Sequence, residues 1–177
     1  MFQGVKDKFK FRSGQKFLRQ ELARDRRVSR TSDGIHQVGI IADLDAFDRP
    51  EAFFDFIEAY GLRPNAIKII GYRRYYDKNS PYSTPVFSDK DLGWKGEIEN
   101  GYALEFLSRD YDILINYFKE DNLMLQLMSI RTQARMRIGF AEVDPAFNDL
   151  IFNCDIGDFE LFKRELKKYL EVLNELA

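Results

Sequence analysis

Apolar residues follow two alternating rhythms along this chain. Short, nearly unbroken runs fall at 38–42 (VGIIA), 67–76 (IKIIGYRRYY), 112–118 (DILINYF), 136–140 (MRIGF) and 150–156 (LIFNCDI). Runs of this kind predict strands buried on both faces of a sheet. Between them the spacing turns helical. After Pro50, the residues Phe53, Phe54, Ile57 and Tyr60 share one face, and Gly61 ends that helix as a residue suited to the left-handed region. A helix over 97–108 would half-bury Ile98, Tyr102, Leu104 and Phe106. Another, over 122–134, carries Leu123, Leu127 and Ile130 along one side. The last, over 160–176, repeats Leu161, Phe162, Leu166, Tyr169, Leu170, Leu173 and Leu176 at helical spacing. At the front of the chain, 3–27 reads as helix through Val5/Phe9 and Leu18/Leu22, divided at Ser13-Gly14 with Ser13 as an N-cap. Residues 28–35 read as a linker with a turn at Asp33-Gly34, and 77–96 as a long loop.

The resulting order, β-α-β-α-β-α-β-β-α, predicts an α/β fold. We expect a three-layer Rossmann-like sandwich with a mostly parallel five-stranded sheet and an N-terminal helical arm. The expected division is a basic helical arm over 1–30 and a single Rossmann-like domain over 31–177. In such a sheet, ligand-binding loops lie at the carboxyl ends of the strands.

Composition narrows the chemistry. The chain has 177 residues, enough for one real core, with one cysteine and one histidine. An internal disulfide, a cysteine-rich zinc site and a multi-histidine metal site are thereby excluded. No apolar run approaches the ~18 residues of a membrane span, and the first residues lack the apolar block of a signal peptide. A reducing cytoplasm is the expected compartment.

Charge is unevenly spread. Residues 1–30 hold ten bases and three acids, for a net +7, whereas the remaining 147 residues are net −9. A basic arm on an acidic body points either to an anionic partner or to docking of the arm on its own domain. Its narrow apolar stripe, Phe17, Leu18 and Leu22, suits docking on a core, an anionic surface or nucleic-acid phosphates.

Candidate chemistry gathers at the expected strand ends. Asp43, Asp45 and Asp48 follow the first strand. D-x-D after an apolar strand resembles the first motif of haloacid-dehalogenase-like phosphatases, whose carboxylates attack phosphorus and bind magnesium. The companion Ser or Thr is absent after the second strand, which reads Gly71-Tyr72-Arg73-Arg74, and Asp155 and Asp158 match the later acidic pair only loosely. The plainer role for Asp43 to Asp48 is turn and cap formation. Gly93-Trp94-Lys95-Gly96 precedes a predicted helix, where Trp94 either anchors a loop or stacks on a ring, and Lys95 sits beside it. Asn116 and Tyr117, followed by Lys119, Glu120 and Asp121, end the third strand. Tyr72 to Tyr76 interleave aromatic and basic residues as single-strand nucleic-acid binders do. Neither a dinucleotide fingerprint nor a P-loop is present, His36 sits at the wrong end of its strand, and Cys154 reads as a core residue.

Two resemblances arise. Gly93 to Ile98, Tyr111 to Ile115, Ile138-Gly139-Phe140 and the helix through Lys168-Tyr169-Leu170 and Leu173-Asn174 together resemble a family of small uncharacterised bacterial proteins typical of Bacteroidota. More locally, Tyr111-Asp112-Ile113-Leu114-Ile115, a leucine-rich helix, and Ala134 to Phe140 are similar to heptosyltransferase-like glycosyltransferases. There the pattern forms a strand, helix and strand of the N-terminal Rossmann-like half. The chain departs from that family at Asp43-Leu44-Asp45-Ala46, where a Gly-Asp motif would stand, and has no counterpart to its sugar-nucleotide-binding second domain. The resemblance therefore implies fold rather than activity.

No acid, base and nucleophile come together in the pattern, so no catalytic residue is assigned. The leading expectation is a non-catalytic binding or scaffolding module. Its arm, with Lys6, Lys8, Lys10, Lys16, Arg19, Arg26 and Arg27, would engage RNA, a ribonucleoprotein or an acidic protein surface. The alternative is a nucleotide- or sugar-nucleotide-binding enzyme related to one half of a GT-B glycosyltransferase. Its crevice would be lined by Asp43, Asp45, Trp94, Lys95, Asn116 and Tyr117.

Overall fold

A computed structural model describes residues 2–24, 32–77, 79 and 81–176. Arg26 and Arg27 lie outside the described residues. Six parallel strands, β1 (Val38–Asp43), β2 (Ile67–Tyr72), β3 (Val86–Phe87), β4 (Asp110–Tyr117), β5 (Gln133–Phe140) and β6 (Leu150–Phe152), form one sheet in the order β3-β2-β1-β4-β5-β6. The five strands expected from the pattern become six because Val86–Phe87, inside the predicted loop, pairs with Gly71 and Tyr72. Two residues are too few to show a strand period in sequence.

Helices cover both faces. On one side the 3₁₀ turn 50–54, α2 (Asp55–Tyr60) and α5 (Phe159–Val172) bury Phe53, Phe56, Phe159, Phe162, Leu166 and Leu170 against Val38, Ile40, Ile113 and Ile115. On the other, α1 (Phe2–Leu22), α3 (Gly101–Leu107) and α4 (Leu123–Arg131) cover Ile41, Ile70 and Leu114. Every residue of β1 is buried, as its unbroken apolar run requires.

Several predicted boundaries move for local reasons. The second strand stops at Tyr72, not at 76, because its partner β1 ends at the facing Asp43. Asn100 caps α3, its side chain accepting from Ala103 N–H, so Glu97 and Glu99 precede the helix. Within α3, Ala103 and Phe106 are buried while Tyr102 and Leu104 are exposed. Phe54, placed on the buried face by spacing, points outward because 50–54 winds as a 3₁₀ turn before α2 begins. The last strand ends at Phe152, leaving Cys154 half-buried beyond it.

The largest change concerns the arm. α1 is one continuous helix, not two halves divided at Ser13-Gly14. Gly14 is buried, and a Cβ there would lie 3.4 Å from Leu123 and 3.6 Å from the backbone of Gly96. Gly14 therefore marks where α1 meets α4 and the turn Trp94–Gly96, at distances a methyl group would fill as ordinary contacts. Ser13 is no cap: its hydroxyl donates to Lys10 O (2.8 Å) and accepts the N–H of Lys95 (3.0 Å). Leu18 is buried beside it, and Phe17 lies under the Arg131 guanidinium at 4.2 Å.

Candidate functional site

Strand order fixes where a ligand crevice belongs. From β1 the chain builds outward through β2 to β3, then crosses back to place β4 on the other side of β1. The carboxyl ends of β1 and β4 therefore flank the point where winding reverses, and loops diverging there leave a crevice. A cavity of about 330 Å³ sits at this point, lined by Asp43, Asp45, Tyr72, Arg74, Tyr75 and Glu120.

Asp43 is the last residue of β1 and only 4% exposed. Its Oδ1 accepts the N–H of Asp45 at 3.0 Å, closing a turn. Burial pushes its carboxyl above the usual range, and the nearby charges of Asp45 and Glu120 push the same way against two backbone hydrogen bonds. Asp45 Oδ2 accepts the N–H of Arg74 at 2.8 Å, which holds the end of β2 to the turn after β1. The Arg74 guanidinium lies 3.9 Å from Glu120. Tyr72 donates to Asp89 at 2.8 Å, and burial together with that carboxylate pushes its hydroxyl up to about 12. Arg73 pairs with Asp48 at 2.5 Å, and its other guanidinium nitrogen lies 4.0 Å from Asp45. Asp43, Asp45 and Glu120 thus line the cavity with Arg74, a carboxylate-rich arrangement that accepts hydrogen bonds from hydroxyls or amines and opposes a bare phosphate.

The residues expected to form one crevice separate into three places. Asp43 and Asp45 line the cavity. Asn116 and Tyr117 are fully buried in the core. Tyr117 packs edge-to-face against Phe53, Phe140 and Phe162 and tilted against Phe47, and donates to Ile156 O at 2.6 Å. Asn116 donates to Asn148 at 2.8 Å on the opposite face of the sheet. Trp94 and Lys95 lie beside α1. Arg131, at the C-terminal end of α4, donates to Lys95 O (3.0 Å) and Gly96 O (2.6 Å), whereas the crevice lies beyond the N-terminal end of that helix. Trp94 is 49% exposed and anchors no core. Tyr72, Arg74 and Glu120 belong to the crevice although pattern alone grouped them with separate segments. Their signal was position at the ends of β2 and β4, which becomes specific once the strand order is known. Among the described residues, no group of three or more His, Cys, Asp or Glu is arranged to hold a metal ion.

The second candidate surface is the outward side of α1. Docking through Gly14, Phe17 and Leu18 turns the opposite side to solvent. Lys8, Arg12 and Lys16 recur at four-residue spacing there, with Arg19 three further on, and all four are exposed. None has an acidic partner among the described residues, and Lys6 is exposed as well. Lys10 instead leans inward, 4.0 Å from Glu99. No described helix is long and apolar enough to cross a membrane.

The chain belongs to a family of unknown function (DUF6913), whose model matches residues 10–173. The match takes in most of α1 together with the whole sheet, so the helix and the α/β core are covered by one family model. No curated protein matches the chain.

Proposed function

We propose that this chain is a binding module that docks on an anionic partner through the outward side of α1. The observation that carries the reading is the orientation of the helix. The side occupied by Gly14, Phe17 and Leu18 is spent on the core, which leaves Lys8, Arg12, Lys16 and Arg19 in one outward row. Because the helix is already ordered against α4, binding would not have to fold it, and the row presents its charges pre-organised. The body of the chain is acidic, so a polyanion would be steered to this side. An RNA, a ribonucleoprotein and an acidic protein surface each supply such charge.

Heparin chromatography of the full chain tests the reading, because a polyanion probes the row without presupposing the partner. Retention is expected to fall steeply with salt and to vanish in a variant carrying Lys8→Glu, Arg12→Glu, Lys16→Glu and Arg19→Glu. Equal retention of the variant and the wild type would overturn it.

A second reading rests on the crevice at the winding reversal, with Asp43 and Asp45 binding a small polar molecule. A nucleotide or sugar nucleotide would present its hydroxyls, not its phosphates, to these carboxylates. Thermal shifts with nucleotides and sugar nucleotides at millimolar concentration test it, since a specific ligand raises the melting temperature. No shift in wild type, or the same shift in Asp45→Asn, would remove it.

A further inference from the structure

The outward side of α1 is not uniformly polar. Val5 and Phe9, four residues apart, are 51% and 55% exposed. Helical spacing sets them beside the row of Lys8, Arg12 and Lys16, with Lys6 on their other flank. Phe9 precedes Arg12 by three positions and Val5 precedes Lys8 by three, so each apolar side chain has a cation one turn away. Neither is drawn into a described core cluster, although Leu18 and Phe17 of the same helix are.

Resting on the reading above, we propose that the anionic partner is a lipid bilayer. On this view α1 lies in the plane of the headgroups, with Val5 and Phe9 entering the acyl boundary and Lys6, Lys8, Arg12 and Lys16 meeting acidic headgroups. A polyanion in water attracts the cations but gives two exposed apolar side chains nothing specific to enter. A bilayer interface satisfies both kinds of group at once. Charge alone accounts for the cationic row; the apolar pair set within it selects lipid. The association is peripheral, since one short apolar patch supports reversible attachment.

Sedimentation of the full chain with vesicles tests this. One set is phosphatidylcholine alone, and the other is equal parts phosphatidylcholine and phosphatidylglycerol. Wild type is expected to sediment with the acidic vesicles only, and less as salt rises. Phe9→Ser should weaken that binding about tenfold, and Lys8→Glu with Arg12→Glu and Lys16→Glu by about a hundredfold or more. These positions face solvent, and unchanged circular dichroism and melting temperature verify that each variant is folded. If the chain binds heparin or a single-stranded RNA but no vesicle, the lipid proposal fails while the anionic-partner reading stands. If Phe9→Ser sediments like wild type, the lipid proposal fails too, because charge alone then explains the attachment. If the chain binds neither heparin nor vesicles, both fall.

Discussion

The guanidinium of Arg135 and the carboxylate of Glu175, forty residues apart in sequence, meet through two hydrogen bonds of 2.6 and 2.7 Å. Their side chains are only 9% and 5% exposed. The pair joins the start of β5 to the segment after α5, and Ser32 closes the group by donating to Glu175 at 2.7 Å. Arg135 also donates to Gly34 O, so the approach to β1 is held by the same cluster.

Breaking this pair takes from a buried charge its hydrogen-bonded counter-charge; without Glu175 the Arg135 guanidinium keeps only Asp112, at 4.0 Å. Glu175→Gln is expected to lower the unfolding free energy by about 3 kcal/mol, and Arg135→Ala by a similar amount, measured by urea denaturation near pH 7. The double variant should cost less than the sum of the two, because the second substitution removes the orphan created by the first.

The same pair makes stability depend on pH in a defined direction. The Arg135 hydrogen bonds hold the Glu175 carboxyl below its ordinary value. Its contribution is therefore complete above the unfolded value of about 4.3 and is lost as pH falls through the lower folded value. Wild type and Glu175→Gln should differ most near neutrality and converge in acid. A constant gap across the titration would contradict this account.

Asp43 carries the opposite sign. Its folded value is raised by burial, so the ionised carboxylate costs stability at pH values above that folded value. Asp43→Asn is expected to match or exceed wild type in melting temperature at pH 8, since the amide oxygen can still accept from Asp45. The difference should shrink as pH falls and the wild-type carboxyl takes its proton. A carboxylate kept where its neutral analogue is more stable would mark the crevice as functional.

The 94–96 turn governs how α1 docks. Lys95 and Gly96 both have positive φ, 56° and 70°. A Cβ on Gly96 would come within 2.7 Å of Leu127 and 3.1 Å of Phe17. Gly96→Ala is expected to destabilise the chain by about 2 kcal/mol. Hydrogen exchange should report loss of protection along α1 while β1 and β4 keep theirs.

Asn116 and Asn148 form a buried pair that is only half satisfied. Asn116 donates to Asn148, yet Asn116 Oδ1 and Asn148 Nδ2 have no hydrogen-bond partner. Replacing one by leucine strands the other, whereas replacing both removes the deficit. The double variant Asn116→Leu, Asn148→Leu should therefore be more stable than either single one, as a denaturant double-mutant cycle would read. Single variants more stable than the double would show that the pair is held by more than the one bond.

The sequence by itself determined the α/β class, the parallel strands and the helical character of 3–22. An apolar run such as that of β1 can be buried only between two helical layers, and the heptad-like stripe of α5 can only face a core. Tertiary structure decided the rest. Val86–Phe87 is a strand only because β2 offers it an edge, and Asn116 leaves the candidate site only because Asn148 lies over the neighbouring strand. Asp43, Arg74 and Glu120 converge through strand order, which no local pattern encodes. Likewise, cations counted along the first helix say nothing of direction until the packing of Phe17 and Leu18 on the core shows which side meets α4. Local periodicity reports what a segment must bury; the long-range pairing of segments settles what remains outside and which side chains meet there.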